Sequence, residues 1–161
     1  MKIKNIIDED FVNYKKASMF IGTCYCDWKC CKEANIPIST CQNYQLSSAF
    51  KREVPIEALV DRYLRNPITN AIVVGGLEPM LQFQDIKELI LCLRNNGCMD
   101  DFVIYTGYYE NELEEQIKWF QKNTENVIVK FGRYIPKRES HFDELLGIYL
   151  ASENQYAKKI C

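Results

Sequence analysis

Short apolar runs alternate with amphipathic stretches along most of this chain of 161 residues. Runs with the composition of buried strands lie at 18–22, 71–74, 102–105, 127–130 and 146–150. Apolar residues recur at helical spacing after Pro55, between Ile86 and Leu93, and between Leu113 and Phe120. This alternation of strand and helix predicts right-handed βαβ units that build a parallel sheet.

The number of predicted units and the chain length bound the architecture. The units are too few for a closed barrel, so we expect an α/β fold of the open, partial parallel β/α barrel type. A chain of this length suffices for one hydrophobic core, which predicts a single domain spanning residues 1–161.

A distinctive segment follows each of the first four predicted strands. They are a cysteine-rich stretch after the first, Gly75–Pro79 after the second, Thr106–Gly107 after the third and Gly132–Arg133 after the fourth. Ligands of parallel α/β folds bind at the carboxyl ends of the strands. The sequence therefore predicts that these segments meet at one rim of the sheet and form a binding site there.

Composition narrows the function classes. Apolar residues make up 47% and charged residues 26% of the chain, with a net charge of −2, which does not favour a nucleic-acid binder acting through a basic face. No apolar run approaches the roughly 20 residues that span a bilayer. The N-terminus, MKIKNIIDED, lacks the apolar core of a signal peptide. We therefore expect a cytoplasmic protein whose cysteines are metal ligands or reactive thiols.

The cysteines are the most concentrated chemistry in the chain. Eight are present, and five of them fall within one loop: Cys24, Cys26, Cys30, Cys31 and Cys41. Thiolates suit both iron–sulfur clusters and zinc. A zinc site of Cys24, Cys26, Cys30 and Cys41 stays open as an interpretation, although the loop has no C-x2-C pair and the only histidine, His141, lies far downstream.

A site of three cysteines is the alternative, with the spacing Cys26-x3-Cys30-x10-Cys41. Three thiolates on a four-iron cluster leave one iron without a protein ligand. Such an iron can bind a substrate or cofactor, which distinguishes a catalytic cluster from an electron carrier.

Several segments resemble one enzyme family, in family order, over about residues 18–157. The stretch FIGTCYCDWKC…CQN is similar to the cluster loop of radical S-adenosylmethionine (SAM) enzymes, and more narrowly to that of the activating enzymes of anaerobic (class III) ribonucleotide reductase. GGLEP resembles the family's GGEP segment, YTGY its YTGY, FGRY its DGRY, and SENQ its SSNQ.

The resemblance implies the cofactors and the residues that hold them. A [4Fe–4S] cluster would be bound by Cys26, Cys30 and Cys41, within a cluster loop at about 22–43. The residues implied to contact SAM are Gly75, Gly76, Glu78, Thr106, Gly107, Asn154 and Gln155. The glycines would admit the methionine part of SAM, and the Glu78 carboxylate would accept a hydrogen bond from its ammonium group. No further catalytic residue is implied beyond the cluster and SAM.

Two departures from the family pattern affect these assignments. The family spacing C-x3-C-x2-C would place the last cysteine at Glu33, so we place an insertion between Cys30 and Cys41. Aligning the first strand instead would make Cys24 the first ligand in place of Cys26. Leu77 is an extra residue between the glycines and Glu78.

By resemblance, we expect an enzyme that reductively cleaves SAM to a 5′-deoxyadenosyl radical. The radical would install a glycyl radical on a partner such as anaerobic ribonucleotide reductase, and a separate electron donor would reduce the cluster. A radical SAM enzyme with a peptide or small-molecule substrate is a second interpretation. The alternative from a different class is a non-catalytic binding module stabilised by zinc or by an iron–sulfur cluster.

Overall fold

A mixed seven-stranded sheet forms the centre of the protein in the computed structural model, which describes residues 1–161. The strands in chain order are β1 Lys2–Asp10, β2 Ser18–Thr23, β3 Arg52–Glu53, β4 Ala71–Gly76, β5 Asp101–Tyr105, β6 Val127–Phe131, β7 His141–Asp143, β8 Ile148–Leu150 and β9 Tyr156–Lys159. The large sheet has the order β3-β1-β2-β4-β5-β6-β9, while β7 and β8 form a separate antiparallel pair.

Helices connect the strands of the large sheet. The α-helices are α1 Lys29–Glu33, α2 Tyr44–Ser48, α3 Ile56–Leu64, α4 Phe83–Asn95 and α5 Glu114–Asn123. Short 3-10 helices occur at Ile38–Thr40, Pro79–Gln82 and Glu110–Glu112. No helix combines the length and the apolar character that a membrane crossing requires.

The four central strands β2, β4, β5 and β6 run parallel, as the sequence predicts. Each of the two crossovers between β4 and β6 carries a long helix, and the sheet does not close on itself. The predicted α/β fold with an open, partial barrel is therefore confirmed. The edges differ from the prediction, because β1, β3 and β9 add antiparallel strands to the parallel centre.

The fifth predicted strand, 146–150, does not join the large sheet. Residues Ile148–Leu150 instead pair with β7 through a turn that contains Gly147 at φ +73°. Leu146 and Leu150 are buried against the large sheet, so their apolar character reflects packing of the hairpin onto the sheet rather than pairing within it.

Side-chain alternation along the parallel strands divides the core between the two faces of the sheet. Ile72 and Val74 of β4 face the helices and belong to the main core, together with residues of α3, α4 and α5. Val73 faces the other side, where Tyr14 and the β7–β8 hairpin cover part of the sheet. This second face, which α3, α4 and α5 do not cover, leaves space for a cavity at the carboxyl ends of the parallel strands.

Candidate cluster and cofactor site

One large cavity, of about 590 Å³, lies at the carboxyl ends of the parallel strands. Its wall contains residues from the cysteine loop and from the segments that follow β4, β5 and β6. The structure thus brings together all four segments that the sequence places at one rim. The volume falls in the range of about 300–1,000 Å³ that is typical of small-molecule sites.

Four cysteines of the loop contribute to the cavity wall: Cys26, Cys30, Cys31 and Cys41. Cys24 is not part of the wall, and its backbone N–H donates to the Gln82 side chain at 2.8 Å. Burial raises the pKa of Cys26 to about 11, whereas interaction with the Cys41 thiol lowers the pKa of Cys30.

The thiols do not converge on one point, since no group of three or more histidine, cysteine or carboxylate side chains could hold a single metal ion. The Sγ atoms of Cys30 and Cys31 are 3.9 Å apart. Thiolates that bind separate irons of one cluster need not share a centre. Cys26, Cys30 and Cys41 lie with Cys31 on the wall of one cavity, and soft thiol donors of this kind fit a [4Fe–4S] cluster.

The second half of the cysteine loop is anchored to the end of β4. The Asn43 side chain donates a hydrogen bond of 2.5 Å to the Gly76 carbonyl. Gly76 has φ +84°, and a Cβ there would lie 2.8 Å from Leu46 Cδ2 and 3.1 Å from Gly22 Cα. Only glycine fits this position without displacing the loop or the strand.

Gly75 is buried within β4 and does not reach the cavity wall. A Cβ on Gly75 would lie 3.1 Å from the Phe20 ring and 3.3 Å from Tyr105 Cβ. The structure thus shows a packing reason for both glycines, and of the two predicted cofactor contacts it places Gly76 in the wall.

Glu78 joins the segments that follow β4 and β5. Its Oε1 accepts hydrogen bonds from the Thr106 hydroxyl at 2.7 Å and the Met80 N–H at 3.0 Å, and its Oε2 accepts from the Gly107 N–H at 2.8 Å. The side chain is buried, and desolvation raises its pKa. A carboxylate offers about four acceptor positions, so Glu78 retains one on Oε2, and it lies in the cavity wall together with Thr106 and Gly107.

A buried cation faces this carboxylate site. Lys130 of β6 is 7% exposed, lies in the cavity wall and donates one hydrogen bond, of 3.0 Å, to the Gly132 carbonyl. Burial lowers the pKa of Lys130 to about 8, although the charges of Glu78 and Cys30 partly oppose this effect. An ammonium group has three donors, and two of those on Lys130 have no partner in the protein.

Comparison with known protein families agrees with this geometry. The sequence model of the family described as "4Fe-4S single cluster domain" matches residues 15–155. The chain belongs to this family. It is therefore a 4Fe–4S domain of the radical SAM type, and the zinc interpretation of the loop is not favoured. Neither a curated protein nor a solved structure matches the chain.

The C-terminal segment of this radical SAM-type domain docks against the end of β6. The Asn154 amide donates to the Arg133 carbonyl at 2.8 Å, and Asn154 is not part of the cavity wall. Gln155 does line the cavity, but its side chain already bonds the Ala151 and Ser152 N–H groups and the Gly132 carbonyl. Their predicted contacts with the adenosine end of SAM stay predictions.

Sequence reasoning gave Lys130 no orientation, yet a signal was present. In the strand VIVKF, Val127, Val129 and Phe131 face the main core, so the period of two places Lys130 with Ile128 on the opposite face of the sheet. A lysine on that face of a central strand, near the carboxyl end, points towards the ligand site of this radical SAM-type domain.

Proposed function

We propose that this protein is a radical SAM enzyme that cleaves SAM reductively and uses the resulting radical to install a glycyl radical on a partner such as anaerobic ribonucleotide reductase. One observation carries the proposal. The three thiols of Cys26, Cys30 and Cys41 share a cavity with a buried carboxylate, Glu78, and a buried ammonium group, Lys130.

The thiols would hold the cluster and leave one iron for the cofactor. When reduced, a [4Fe–4S] cluster supplies an electron to the sulfonium of SAM, which yields methionine and a 5′-deoxyadenosyl radical. The protein's part is to bind and orient SAM and to keep water and side reactions away. The family match supports the cluster, and the resemblance of the rim segments supports SAM as its ligand.

Glu78 and Lys130 suit the two charged ends of an amino acid. The methionine part of SAM carries an ammonium group and a carboxylate. The remaining acceptor position on Glu78 would take the ammonium group, and the two remaining donors of Lys130 would take the carboxylate. Both side chains are buried, so the pairing forms in a low-dielectric environment where charge-assisted hydrogen bonds are strong.

A polypeptide partner suits the mouth of the cavity. Val12 and Tyr149 line the cavity, yet these residues are 72% and 73% exposed. Phe11 and Phe142, on the adjoining segments, are 64% and 50% exposed. Exposed apolar groups beside a site of this kind favour contact with another protein over enclosure of a small molecule.

The test measures 5′-deoxyadenosine after anaerobic reconstitution with iron and sulfide and reduction with dithionite. We expect the wild-type protein to produce it from SAM, and the variants Cys26→Ala, Cys30→Ala and Cys41→Ala to lose production while a Cys92→Ala control retains it. Cys92 lies on α4, outside the cavity. Binding of zinc with no iron and no 5′-deoxyadenosine in the wild-type protein would refute the proposal.

The partner is tested separately, with the large subunit of an anaerobic ribonucleotide reductase. The expected result is a glycyl-radical EPR doublet that requires SAM, the reduced protein and the glycine of the partner. SAM cleavage without that doublet, together with a radical product on a small molecule, would contradict the partner while leaving the radical chemistry in place.

A further inference from the structure

Three ion pairs among four charged side chains, closed into a ring by helix α1 itself, join that helix to the barrel beside the cavity. Lys29 and Glu33 stand at the two ends of α1, and Cys30 lies between them. The Lys29 ammonium pairs with Glu112, and the Glu112 carboxylate accepts two hydrogen bonds from Arg133 at 2.6 and 2.7 Å. Arg133 Nε lies 2.9 Å from Glu33 Oε2, which closes the ring as an ion pair whose angle is too poor for a hydrogen bond.

The barrel half of this ring is rigidly held. The Arg133 side chain is 4% exposed, and its guanidinium lies 4.6 Å from the centre of the Tyr109 ring. Hydrogen bonds from Arg133 and from the Lys29 ammonium lower the pKa of Glu112 to about 2. Arg133 borders the cavity, but two carboxylates already neutralise it, so it is not a free cation for a ligand.

The loop half of the ring has little structure of its own. Helix α1 has five residues and no side-chain cap, and its preceding residue, Trp28, adopts φ +57°. An isolated helix of this length is not stable in water, so tertiary contacts must fix its position. The segment before it is tied to the same region of the barrel, because the Tyr108 hydroxyl donates to Asp27 at 2.8 Å.

We propose that the ring of Lys29, Glu112, Arg133 and Glu33 is a positioning device that fixes the Cys30 thiol before the cluster is assembled. Lys29 and Glu33 flank Cys30 on one short helix, and their side chains form ion pairs with the same Arg133–Glu112 pair. With both links in place, α1 can rotate or lift away from the cavity only by breaking an ion pair. The role of Cys30 as a ligand rests on the proposed function, whereas the control of α1 by the ring does not.

The experiment compares the two exposed links with a neighbour on the same helix. Lys29→Met and Glu33→Gln each remove one link and leave the Arg133–Glu112 pair intact, and a double variant removes both. Lys32→Met is the matched control, since Lys32 is an exposed lysine of α1 that forms no ion pair. Amide hydrogen exchange of residues 29–36 is measured in the metal-free proteins, and thermal unfolding verifies that the barrel persists.

We expect amide exchange over residues 29–36 to accelerate about two- to fivefold in each single variant, because each loses one partly exposed ion pair. The double variant should exchange faster still. Lys32→Met should match the wild type. Equal exchange in the double variant and the control would overturn the proposal, even if the wild-type protein assembles a cluster.

A second readout follows the cluster itself. After reconstitution, the double variant should lose iron to a chelator several-fold faster than the Lys32→Met control and show a broadened EPR spectrum of the reduced cluster. If both variants retain iron equally and give identical spectra, the ring does not position Cys30. If the wild-type protein itself forms no cluster, the proposed function fails, and the exchange measurement still decides whether the ring fixes α1.

Discussion

At the scale of single residues, Lys130 combines a structural cost with the binding role that we propose for it. Its ammonium group is nearly inaccessible to water and has one hydrogen-bond partner in the protein. Burying a charge with so few partners is unfavourable, and the lowered pKa of Lys130 expresses that cost. A buried lysine in a cavity wall whose ammonium group has unpaired donors is well placed to pair with a negatively charged group of a ligand.

The pKa of Lys130 gives a pH dependence with a definite sign. The folded value is about 8 and the ordinary value 10.5, so the unfolded state binds more protons between them and stability rises with pH in that window. Lys130→Met should be more stable than the wild type below pH 8, by on the order of 3 kcal/mol. The Gly132 carbonyl keeps the Gln155 amide as its partner in the variant.

Chemical denaturation at several pH values measures this difference. The advantage of Lys130→Met should shrink steadily from pH 8 to 10.5, and a constant difference across that range would contradict the assignment. The same variant should bind SAM roughly ten- to a hundredfold more weakly, as for a lost hydrogen bond to a charged group. Lys118→Met removes an exposed lysine of α5 and its surface ion pair with Glu114, so it should change the unfolding free energy by no more than about 0.5 kcal/mol and leave SAM binding unchanged.

At the scale of elements, the site depends on how the loops dock onto strand ends. Gly132 follows β6 at φ +96°, and a Cβ there would lie 2.8 Å from the Asn154 carbonyl oxygen and 3.2 Å from Gln155 Cα. The backbone of Gly132 therefore lies directly against the backbone of the C-terminal segment, with no room for a side chain between them. A side chain at this position would push apart two walls of the cavity.

Gly132→Ala and Gly97→Ala separate backbone strain from this close approach. Gly97 also has a positive φ, of +76°, but nothing lies within 4 Å of the Cβ position there. Gly97→Ala should therefore lower the unfolding free energy by only about 1–2 kcal/mol, the strain of an alanine in the left-handed conformation. Gly132→Ala should cost at least about 1 kcal/mol more, because the added methyl group also meets the chain at 154–155.

Urea unfolding of the two variants measures the comparison. Equal losses would show that the C-terminal segment moves away freely and does not form a fixed wall.

The strands differ in how well the sequence alone could predict them. The strands of the parallel centre were predictable because they are continuous apolar runs, buried on both faces. β1 was not, since its sequence KIKNIIDED mixes the apolar residues with charged ones, of which Lys2 and Lys4 are half-buried and Asp10 is buried. The prediction that 146–150 joins the main sheet was wrong, because a hairpin packed on a sheet buries residues similar to those of a strand within the sheet.

At the scale of the whole molecule, the parallel topology assembles the site. The ends of β2, β4, β5 and β6 carry residues that lie far apart in sequence, and the structure places them around one cavity. This convergence followed from chain order and the rule for parallel sheets. The ring of Lys29, Glu112, Arg133 and Glu33 could not be predicted in this way. Its ion pairs join residues 21 to 100 positions apart and depend on side-chain placement that no local pattern encodes.

In the whole molecule, we propose that Cys26, Cys30 and Cys41 hold a [4Fe–4S] cluster with one iron left open to SAM. The most direct measurement is EPR of the anaerobically reconstituted, reduced protein with and without SAM. We expect a cubane signal whose shape changes when SAM is added, in the wild type and in Cys92→Ala alike. A cubane signal that SAM leaves unchanged at saturating concentration would contradict the open iron, and absence of any cluster would contradict the ligand assignment.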